Sequence, residues 1–457
     1  MLEGGLRKPE RKPLMLDDKD FWNVSSLDKE LRRQFDVCHS CRRCFNLCDS
    51  FPKLFDLIDE SDSMELDTVD SNSFNKVVDA CTLCDMCFMV SCPYVPPHEF
   101  AIDIPSLFVR HKAIEDKKKL KFIDSQLAKT DRIGKIGSFF SYLFNIILNK
   151  KNKFLRKFVS YFTGIDVSVT LPKFNKKSFK SIFKTVKNTF KYKKNYRDKV
   201  LLFTSCYANY NDSKIGEAII GVLSKNKVYL EEFYSGCCKM PQLEQGKVVE
   251  VKKEAEITAK KLRSKIDQGF KVIAPIASCA LMLKTHWPLL SPENEDVKIL
   301  SKNTMDIDEY IWDLNNRKGL AEGMSALDKN ITLHSSCHSR AQNIGPKSAQ
   351  ILKLIPNTNT INIEKCSGHG GTWGIKKKNN KTARKVGLPA AKKIFKDESS
   401  VIASTCPLAA LHLKDINDEK KLSNYQSKIF HPIELIAKAY GIKEIGNEKY
   451  SLSKIQN

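Results

Sequence analysis

The sequence of 457 residues predicts an α+β multidomain protein, in which a helical, cysteine-rich module precedes two copies of one α/β unit. The chain is too long for one ordinary core. Eight cysteines lie between Cys38 and Cys92 in helix-forming sequence, and a strand-and-helix pattern occurs twice from residue 199 onward. The predicted segments are a polar N-terminal arm (1–30), a helical module (31–112), a basic linker region (113–198), the first α/β unit (199–328), the second (329–445) and a C-terminal tail (446–457).

Composition indicates a soluble globular protein in a reducing compartment. Hydrophobic residues make up 42% of the chain, which is typical of a folded protein. The first residues, MLEGGLRKPERKPLMLDDKDFW, mix acids with bases and contain no apolar stretch of the length that a secretory signal needs. We therefore expect a cytoplasmic protein with fifteen reduced cysteines, and this favours metal ligands or redox sites over disulfides.

The net charge of +23 has two interpretations. Most of the bases are lysines that occur in every segment, so a lysine-rich genome explains the charge without a functional demand. The alternative is attraction to anionic partners such as nucleic acid, lipid headgroups or an acidic redox protein. The sequence contains neither base-reading motifs nor RNA-stacking signatures, so we expect no nucleic-acid partner.

The eight N-terminal cysteines form two closely spaced runs. The first run is C-x2-C-x2-C-x3-C and the second is C-x2-C-x2-C-x4-C, followed by Pro93. Three thiolates at this spacing reach three corners of a cubane, and the fourth cysteine of each run ligates the other cluster. The spacing therefore predicts a ferredoxin-type α-helical domain with two 4Fe-4S clusters, whereas zinc sites usually use pairs of cysteines. The expected ligands are Cys38, Cys41, Cys44 and Cys92 for one cluster, and Cys48, Cys81, Cys84 and Cys87 for the other.

The linker region contains an apolar run from Ile136 to Leu148, which is shorter than the ~20 residues that span a bilayer. One interpretation is a helix packed against the rest of the protein. The other is a basic amphipathic helix that lies on a membrane surface or docks a membrane partner. Its apolar face would then carry Phe139, Phe140, Phe144 and Ile147.

The C-terminal half repeats three cysteine landmarks. KVLLFTSC at Cys206 corresponds to NITLHSSC at Cys337, FYSGCC at Cys237 and Cys238 to IEKCSG at Cys366, and KVIAPIASC at Cys279 to SSVIASTC at Cys406, with offsets of 131, 129 and 127 residues. Each landmark follows a predicted strand, where α/β folds place their sites. We expect these seven cysteines to bind a further iron-sulfur cluster or zinc in each copy. Ser367 replaces the second cysteine of the doublet, and His338 or His369 could complete that second site.

This order of parts resembles the iron-sulfur proteins that join a double-cluster ferredoxin module to two cysteine-rich CCG domains. They include the iron-sulfur subunits of anaerobic glycerol-3-phosphate dehydrogenase and glycolate oxidase, and heterodisulfide reductase subunits. The similar segments are FTSCYANYNDSKIGEAIIGVL, SGCCKMPQLEQG and HSSCHSRAQNIG. The chain departs from the family with CCK in the first motif, CSG in the second and Ala403 before Cys406. The CSGHGGTWG variant resembles oxidoreductases of which some are associated with rubrerythrins.

The resemblance implies an electron-transfer subunit that connects a flavoprotein dehydrogenase with a quinone pool or a disulfide. The leading hypothesis is a relay of this kind, with a flavoprotein or a rubrerythrin-like protein as partner and contact with the inner face of a membrane. The alternative is a catalytic disulfide or peroxide-linked reductase that works at a metal centre of the CCG domains. A remote third hypothesis is a redox-sensing nucleic-acid-binding protein. The sequence identifies no catalytic residue.

Overall fold

The computed structural model describes residues 9–118, 122–187 and 196–442. Residues 1–8 of the predicted arm and the predicted tail (446–457) lie outside these described residues. The part before residue 198 forms α1 (Val24–Cys41), α2 (Ser50–Asp59), α3 (Phe74–Ala80), α4 (Ile104–Lys118), α5 (Phe122–Leu127), α6 (Thr130–Phe139), α7 (Ser141–Ile147), α8 (Lys153–Thr163) and α9 (Phe179–Lys187). Shorter 3-10 turns lie at Asp20–Trp22, Leu66–Thr68 and Ser71–Ser73, and a π-helical turn lies at Cys87–Ser91.

Helices α1 to α4 surround one apolar core, as expected for the helical module. The ring of Phe35 on α1 lies edge-on to Phe74, with centroids 5.1 Å apart, and to Phe108, with centroids 5.9 Å apart. The side chain of Asn23 caps the start of α1 by accepting a hydrogen bond from a backbone N–H of the first turn. The helix ends at Arg42 in a left-handed conformation (φ 49°), between two cysteines of the first run.

Part of the predicted N-terminal arm is packed into the fold. Helix α1 begins at Val24, inside the segment predicted as an arm. The guanidinium of Arg11 is 3.0 Å from the carboxylate of Asp85 and 2.9 Å from that of Asp103, and its side chain is only 6% exposed. Polar composition suggested a solvated segment, but these charges are buried because each has a partner of opposite sign.

The first α/β unit contains four parallel strands in the order β2-β1-β3-β4. The strands are β1 (Asp198–Phe203), β2 (Val228–Phe233), β3 (Lys271–Ala274) and β4 (Thr304–Asp306). Its helices are α10 (Cys206–Tyr210), α11 (Ser213–Lys225), α12 (Met240–Leu243), α13 (Val248–Asp267), α14 (Ala277–Leu281), α15 (Trp287–Leu290), α16 (Glu295–Lys302) and α17 (Ile307–Lys318), with a π-helical turn at Met282–His286. The buried apolar residues of β1 and β3 are typical of a parallel sheet covered on both faces.

The second unit repeats this arrangement with three parallel strands in the order β6-β5-β7. The strands are β5 (Ile331–His334), β6 (Thr360–Ile363) and β7 (Val401–Ser404). Its helices are α18 (Cys337–Arg340), α19 (Lys347–Leu352), α20 (Lys377–Ile394), α21 (Pro407–Lys420) and α22 (Pro432–Ala439). In both units the first strand lies between the second and the third, so the structure confirms the predicted duplication.

The predicted linker helix over the apolar run is two helices in the structure. Helix α6 ends at Phe139 and α7 begins at Ser141, with Phe140 between them outside the helical backbone conformation. Within the described ranges, no helix is both long enough and apolar enough to cross a bilayer.

Candidate metal centres

The first four-cysteine group joins the end of α1 to the loop after the π-helical turn. Cys38, Cys41, Cys44 and Cys92 line one small cavity. Burial raises the pKa of Cys38, and the charges of the other three thiols raise it further. Burial, with Cys92 and Cys41 next in effect, raises the pKa of Cys44 to about 11. The structure therefore brings together the four residues expected for one cluster, with a thiol from the second run among them.

The second group joins the start of α2 to the second run. Burial and then the charge of Cys81 raise the pKa of Cys48 to about 12. Burial raises the pKa of Cys87 well above its usual value, with Cys84, Cys81 and Cys48 as the next causes. Leu83 has a left-handed backbone (φ 49°), and its N–H donates a hydrogen bond to Sγ of Cys81 at 3.4 Å. Cys48 thus lies near the cysteines of the second run.

The cysteines of the first α/β unit meet at the carboxyl ends of its strands. Cys206 follows β1, the doublet Cys237 and Cys238 follows β2, and Cys279 follows β3. The Sγ atoms of Cys206 and Cys237 are 3.8 Å apart. Hydrogen bonds from Cys206 and Cys238 lower the pKa of Cys237 well below its usual value. This is a converging set of thiols from three loops.

The cysteines of the second unit occupy the corresponding positions. Cys337, Cys366 and Cys406 follow β5, β6 and β7. Burial raises the pKa of Cys337, followed by the charges of the other two thiols. Ser367 stands where the first unit has its second doublet cysteine, and its hydroxyl accepts a hydrogen bond from the backbone N–H of His369 at 3.4 Å. Ala403 is fully buried within β7.

The two candidate histidines differ in their hydrogen bonds. His338 has Nδ1 2.8 Å from Oγ of Ser278 and Nε2 3.4 Å from the carbonyl oxygen of Leu83. His369 has no hydrogen-bond partner on either ring nitrogen among the described residues, although both nitrogens are buried. Burial, followed by the charges of two other histidines, lowers the pKa of His369 to about 3, so its ring is neutral at pH 7.

The two sets of cysteines face each other across one cavity of about 240 Å³, here called the thiol chamber. Its lining includes Cys84 of the second N-terminal group, His338, His369 and all the landmark cysteines, namely Cys206, Cys237, Cys238, Cys279, Cys337, Cys366 and Cys406. Burial raises the pKa of Cys84 well above its usual value, and the charges of Cys337 and Cys366 are the next causes. The sequence predicted two separate sites, whereas the fold brings both to one chamber.

Two stretches of the chain, residues 200–284 and 331–414, match the family described as CCG, the cysteine-rich domain. The chain carries two CCG domains. The matched stretches contain all seven landmark cysteines. The CCG domains therefore supply every cysteine of the thiol chamber except Cys84.

Similar proteins are subunits of oxidoreductases. One subunit of the anaerobic glycerol-3-phosphate dehydrogenase of Escherichia coli is 24% identical over 345 residues, which cover 74% of this chain and 82% of the relative. One subunit of the fumarate reductase (CoM/CoB) of Methanothermobacter marburgensis is 26% identical over 52% of this chain and 46% of the relative. One subunit of the dihydromethanophenazine:CoB--CoM heterodisulfide reductase of Methanosarcina mazei is 25% identical over 53% and 59%. These relatives support an electron-transfer role for this chain.

The thiols fit iron-sulfur chemistry. All fifteen cysteines are free, and crowded thiols are deprotonated readily only when a metal offsets their charge. Backbone N–H groups donate to sulfur at both CCG domains, from Lys239 to Cys237 and from Gly368 to Cys366, each at 3.3 Å. Such bonds stabilise negative charge on a ligating sulfur. Among the described residues, no three His, Cys, Asp or Glu side chains lie close enough to hold a single metal ion, so the thiols are spaced more widely than a mononuclear site requires.

Two further residues, Thr130 and Glu244, line the thiol chamber and carry no sequence signal of a site. Oγ1 of Thr130, at the start of α6, is 3.3 Å from Sγ of Cys206 and 3.2 Å from Sγ of Cys237. Glu244 lines both the chamber and a neighbouring polar cavity of about 380 Å³. No motif pointed to Thr130, because it lies in the linker region. Glu244 falls within SGCCKMPQLEQG, where its distance from the doublet gave no reason to single it out.

Proposed function

We propose that this protein is an iron-sulfur electron-transfer subunit of an oxidoreductase complex. It would accept electrons from a flavin-dependent dehydrogenase of the glycerol-3-phosphate or 2-hydroxy acid type and pass them to a quinone or another acceptor. The position of Cys84 carries the proposal, because this residue belongs to the N-terminal runs and also lines the thiol chamber. One residue thus adjoins two groups of thiols.

The proposed ligands follow the groups of thiols. We assign two 4Fe-4S clusters to the N-terminal module, one on Cys38, Cys41, Cys44 and Cys92 and the other on Cys48, Cys81, Cys84 and Cys87. We assign a further iron-sulfur cluster or zinc to the CCG cysteines. When bound, iron-sulfur clusters would supply one-electron transfer. The chain's own residues surround the thiols and donate hydrogen bonds to some of their sulfurs.

The partner that we propose is a flavoprotein dehydrogenase subunit. The Escherichia coli relative is by name a subunit of a dehydrogenase, which supports this choice, and the relatives give no support to a rubrerythrin-like partner. We place the complex in the cytoplasm, at the inner face of the membrane.

Metal analysis of anaerobically purified protein tests the proposal. We expect the broad visible absorption of iron-sulfur clusters and about twelve or more irons per chain if a CCG domain holds a cluster, against about eight if the N-terminal module alone does. Zinc is measured in the same samples. Serine variants of Cys38 and Cys81 should each remove one N-terminal cluster. A chain that binds no iron and sulfide after anaerobic purification and reconstitution would overturn the proposal.

The thiol chamber also supports a second function, a catalytic reductase of a disulfide or peroxide. Its volume of about 240 Å³ exceeds that of several water molecules, at about 30 Å³ each. A small substrate could therefore lie between the two CCG domains. This function predicts turnover of a small disulfide or peroxide by the isolated chain with an artificial electron donor. Turnover that requires an added flavoprotein would favour the relay.

A further inference from the structure

Both ring nitrogens of His369 are buried without a hydrogen-bond partner among the described residues. Neither Nδ1 nor Nε2 is bonded, and both have almost no accessible surface. A buried polar atom without a partner costs about 1–3 kcal/mol. Its ring centroid lies 6.0 Å from that of His412, which is too far for a direct hydrogen bond. His369 belongs to the wall of the thiol chamber, and within that wall its two ring nitrogens have no partner.

The backbone on both sides of His369 fixes the ring in this place. Gly368 has φ +74°, and a Cβ at this position would lie 2.0 Å from the carbonyl oxygen of Ala383. Gly370 has φ +54°, and a Cβ there would lie 2.5 Å from a side-chain carbon of Thr82. Both turns require glycine. The loop thus holds His369 three residues after Cys366, and both residues line the thiol chamber together with Cys337 and Cys406.

We propose that His369 ligates the metal centre of the second CCG domain, together with Cys337, Cys366 and Cys406. The inference rests on the proposed function, which assigns a metal centre to these cysteines. A neutral imidazole binds both zinc and the iron of a cluster. It supplies the ligand that Ser367 cannot, since Ser367 replaces the doublet cysteine. His338 is the poorer candidate because both of its nitrogens already have protein partners.

Pulsed paramagnetic resonance tests the ligand directly. The full-length holoprotein is labelled with ¹⁵N-histidine, reduced and compared with unlabelled protein, and we expect a ¹⁵N hyperfine coupling to the centre. H369A should lose this coupling and the metal of one centre, whereas H338Q should keep both. H369C should restore the metal without the coupling, because a thiolate replaces the imidazole. A site that holds zinc and no iron would overturn the inference, because the thiols are spaced more widely than a mononuclear site requires.

The outcomes are distinguishable from a failure of the proposed function. The inference is overturned if H369A keeps the wild-type metal content and spectrum, or if H338Q loses as much metal as H369A. Loss of the two N-terminal clusters from every sample would instead contradict the proposed function. Far-ultraviolet circular dichroism of each variant, compared with wild type, shows whether the fold is kept.

A separate observation concerns helices α6, α7 and α8, which bury polar residues and expose apolar ones. On α8, Arg156 and Ser160 are 1% and 2% exposed, whereas Phe154 and Tyr161 are each 81% exposed. The guanidinium of Arg156 donates to two backbone carbonyls of the following loop, at 2.8 and 3.1 Å. A helix in contact with water normally shows the opposite arrangement.

The two preceding helices, α6 and α7, also bury small or polar residues and expose apolar ones. On α7, the amide of Asn145 exchanges two hydrogen bonds with the backbone of Phe174, while Tyr142 is 83% exposed. On α6, the residues turned inward are Gly134, Gly137 and Ser138. The exposed apolar side chains of the three helices, here called the aromatic face, are Ile136, Phe139, Phe140, Tyr142, Leu143, Ile146, Phe154, Phe158, Tyr161 and Phe162. So many large apolar groups on one surface indicate an interaction site.

The charged residues within the segment that forms the aromatic face have one sign. Residues 132–165 contain no Asp or Glu. Their bases include Lys135, Lys151, Lys153 and Lys157, which are exposed and take part in none of the ion pairs among the described residues. Aromatic residues combined with lysines are typical of segments that lie in the interface of a bilayer with anionic lipids. An acidic protein partner would match the lysines but not the broad apolar centre.

We infer that the aromatic face docks on the surface of an anionic lipid bilayer, with its aromatic side chains at the level of the headgroups. The proposed function places the protein at the inner face of the membrane, and this inference names the residues that would make the contact. It does not depend on a bound metal. The first four residues of α6 also include Thr130, which contacts the sulfurs of the first CCG domain. The docking surface and the thiol chamber therefore share one helix.

Flotation with lipid vesicles tests the docking surface. The full chain is mixed with vesicles of phosphatidylcholine alone or with one third phosphatidylglycerol, at low and high salt. We expect binding to the anionic vesicles and at least a tenfold loss of binding for F154S/F158S/Y161S. The charge-reversed variant K151E/K153E/K157E should lose binding similarly. The control K253E/K260E/K261E changes the net charge equally on the exposed side of α13 and should bind as wild type does.

Three outcomes would overturn this inference. Wild type could fail to bind anionic vesicles, the α13 control could lose as much binding as the α8 variant, or F154S/F158S/Y161S could bind as wild type does. Size-exclusion chromatography adds a further check. If wild type is a dimer that the serine variant converts to a monomer without vesicles, the face serves a second copy of the chain instead. Iron content is measured on each variant, so a failure of cluster binding is seen separately from a failure of docking.

Discussion

Oγ1 of Thr130 lies 3.2 Å from Sγ of Cys237, although 107 positions separate the two residues in the chain. The same hydroxyl is 3.3 Å from Sγ of Cys206. Hydrogen bonds to a ligating sulfur stabilise the more negative, reduced form of a metal centre. A residue of the linker region thus influences the thiols of the first CCG domain.

We therefore expect T130V to lower the reduction potential of the centre in the first CCG domain while the protein keeps its metal. An anaerobic redox titration followed by paramagnetic resonance measures this change. T185V is the matched control, because the hydroxyl of Thr185 bonds to its own helix, at the carbonyl of Ile182. If zinc occupies the site, the same lost bonds should appear as weaker zinc binding in a competition assay. Equal values for T130V and T185V would contradict the prediction.

The buried guanidinium of Arg11 should be essential to the stability of the helical module. Burial acts to raise the pKa of Asp85, but the charges of Arg11 and His286 outweigh it and hold this pKa well below its usual range. R11A leaves Asp85 and Asp103 buried without their partner, and such a loss costs about 3–5 kcal/mol of unfolding free energy. Chemical denaturation followed by circular dichroism measures it.

The pH dependence of the Arg11–Asp85 pair follows from the direction in which the pKa of Asp85 is shifted. Because the folded-state pKa of Asp85 is depressed, its contribution is present above the ordinary aspartate pKa of 3.8 and is lost as pH falls through the folded value. R11A should therefore lose less stability than wild type on acidification. R263A is the control, since Arg263 pairs with Asp267 and Asp296 at the surface. A loss in R263A as large as that in R11A would be inconsistent with this account.

Gly368 should tolerate no side chain. Its φ is +74°, and an added Cβ would meet the carbonyl oxygen of Ala383 at 2.0 Å, which is backbone and cannot move aside easily. G368A should destabilise the protein and reduce metal binding at the second CCG domain, because Gly368 also donates its N–H to Sγ of Cys366. G323A is the control, since Gly323 has φ +98° and open space around it. Its cost should be limited to backbone strain of about 1–2 kcal/mol. Similar melting temperatures for G368A and G323A would contradict the prediction that G368A is the more destabilising substitution.

Sequence periodicity and cysteine spacing predicted most of the architecture because these signals are local. Each landmark cysteine follows a strand in the structure, and the two predicted α/β units share the order of their first three strands. The repeated cysteine landmarks indicated two separate CCG sites, since nothing in either copy shows that Cys279 and Cys406 line one cavity. That relationship depends on how the two units pack.

The linker region shows a different limit of sequence reasoning. An apolar run was expected either to pack inside or to face a membrane, and Phe139 is exposed whereas Phe144 is half-buried against Phe174. The break at Phe140 divides the run into two helices, so one part of the run is exposed while another part packs against the protein. Contacts outside the helix, such as those of Arg156 with the loop that follows α8, decide the orientation, and the apolar pattern of the helix does not reveal them.

Glu244 should make the thiol chamber sensitive to pH. Burial, opposed by the charge of Lys112 and a hydrogen bond from the backbone of Thr372, raises the pKa of Glu244 to about 8. The carboxyl is therefore protonated at pH 7 in the folded protein, and the folded state holds one more proton than the unfolded state between about pH 4.5 and 8. Stability should fall as pH rises through this window, by at most about 1.4 kcal/mol per pH unit.

The variant E244Q should lack this dependence and be more stable than wild type at pH 9, since its neutral amide cannot ionise. Unfolding at several pH values measures the slope, and infrared spectroscopy should show a protonated-carboxyl band in wild type at pH 7 that E244Q lacks. E250Q is the matched control, because Glu250 is an exposed residue of α13. Equal slopes in wild type and E244Q would mean that Glu244 is ionised in the folded protein. The negative charge of Glu244, which lines both the polar cavity and the thiol chamber, would then disfavour negative charge on the sulfurs.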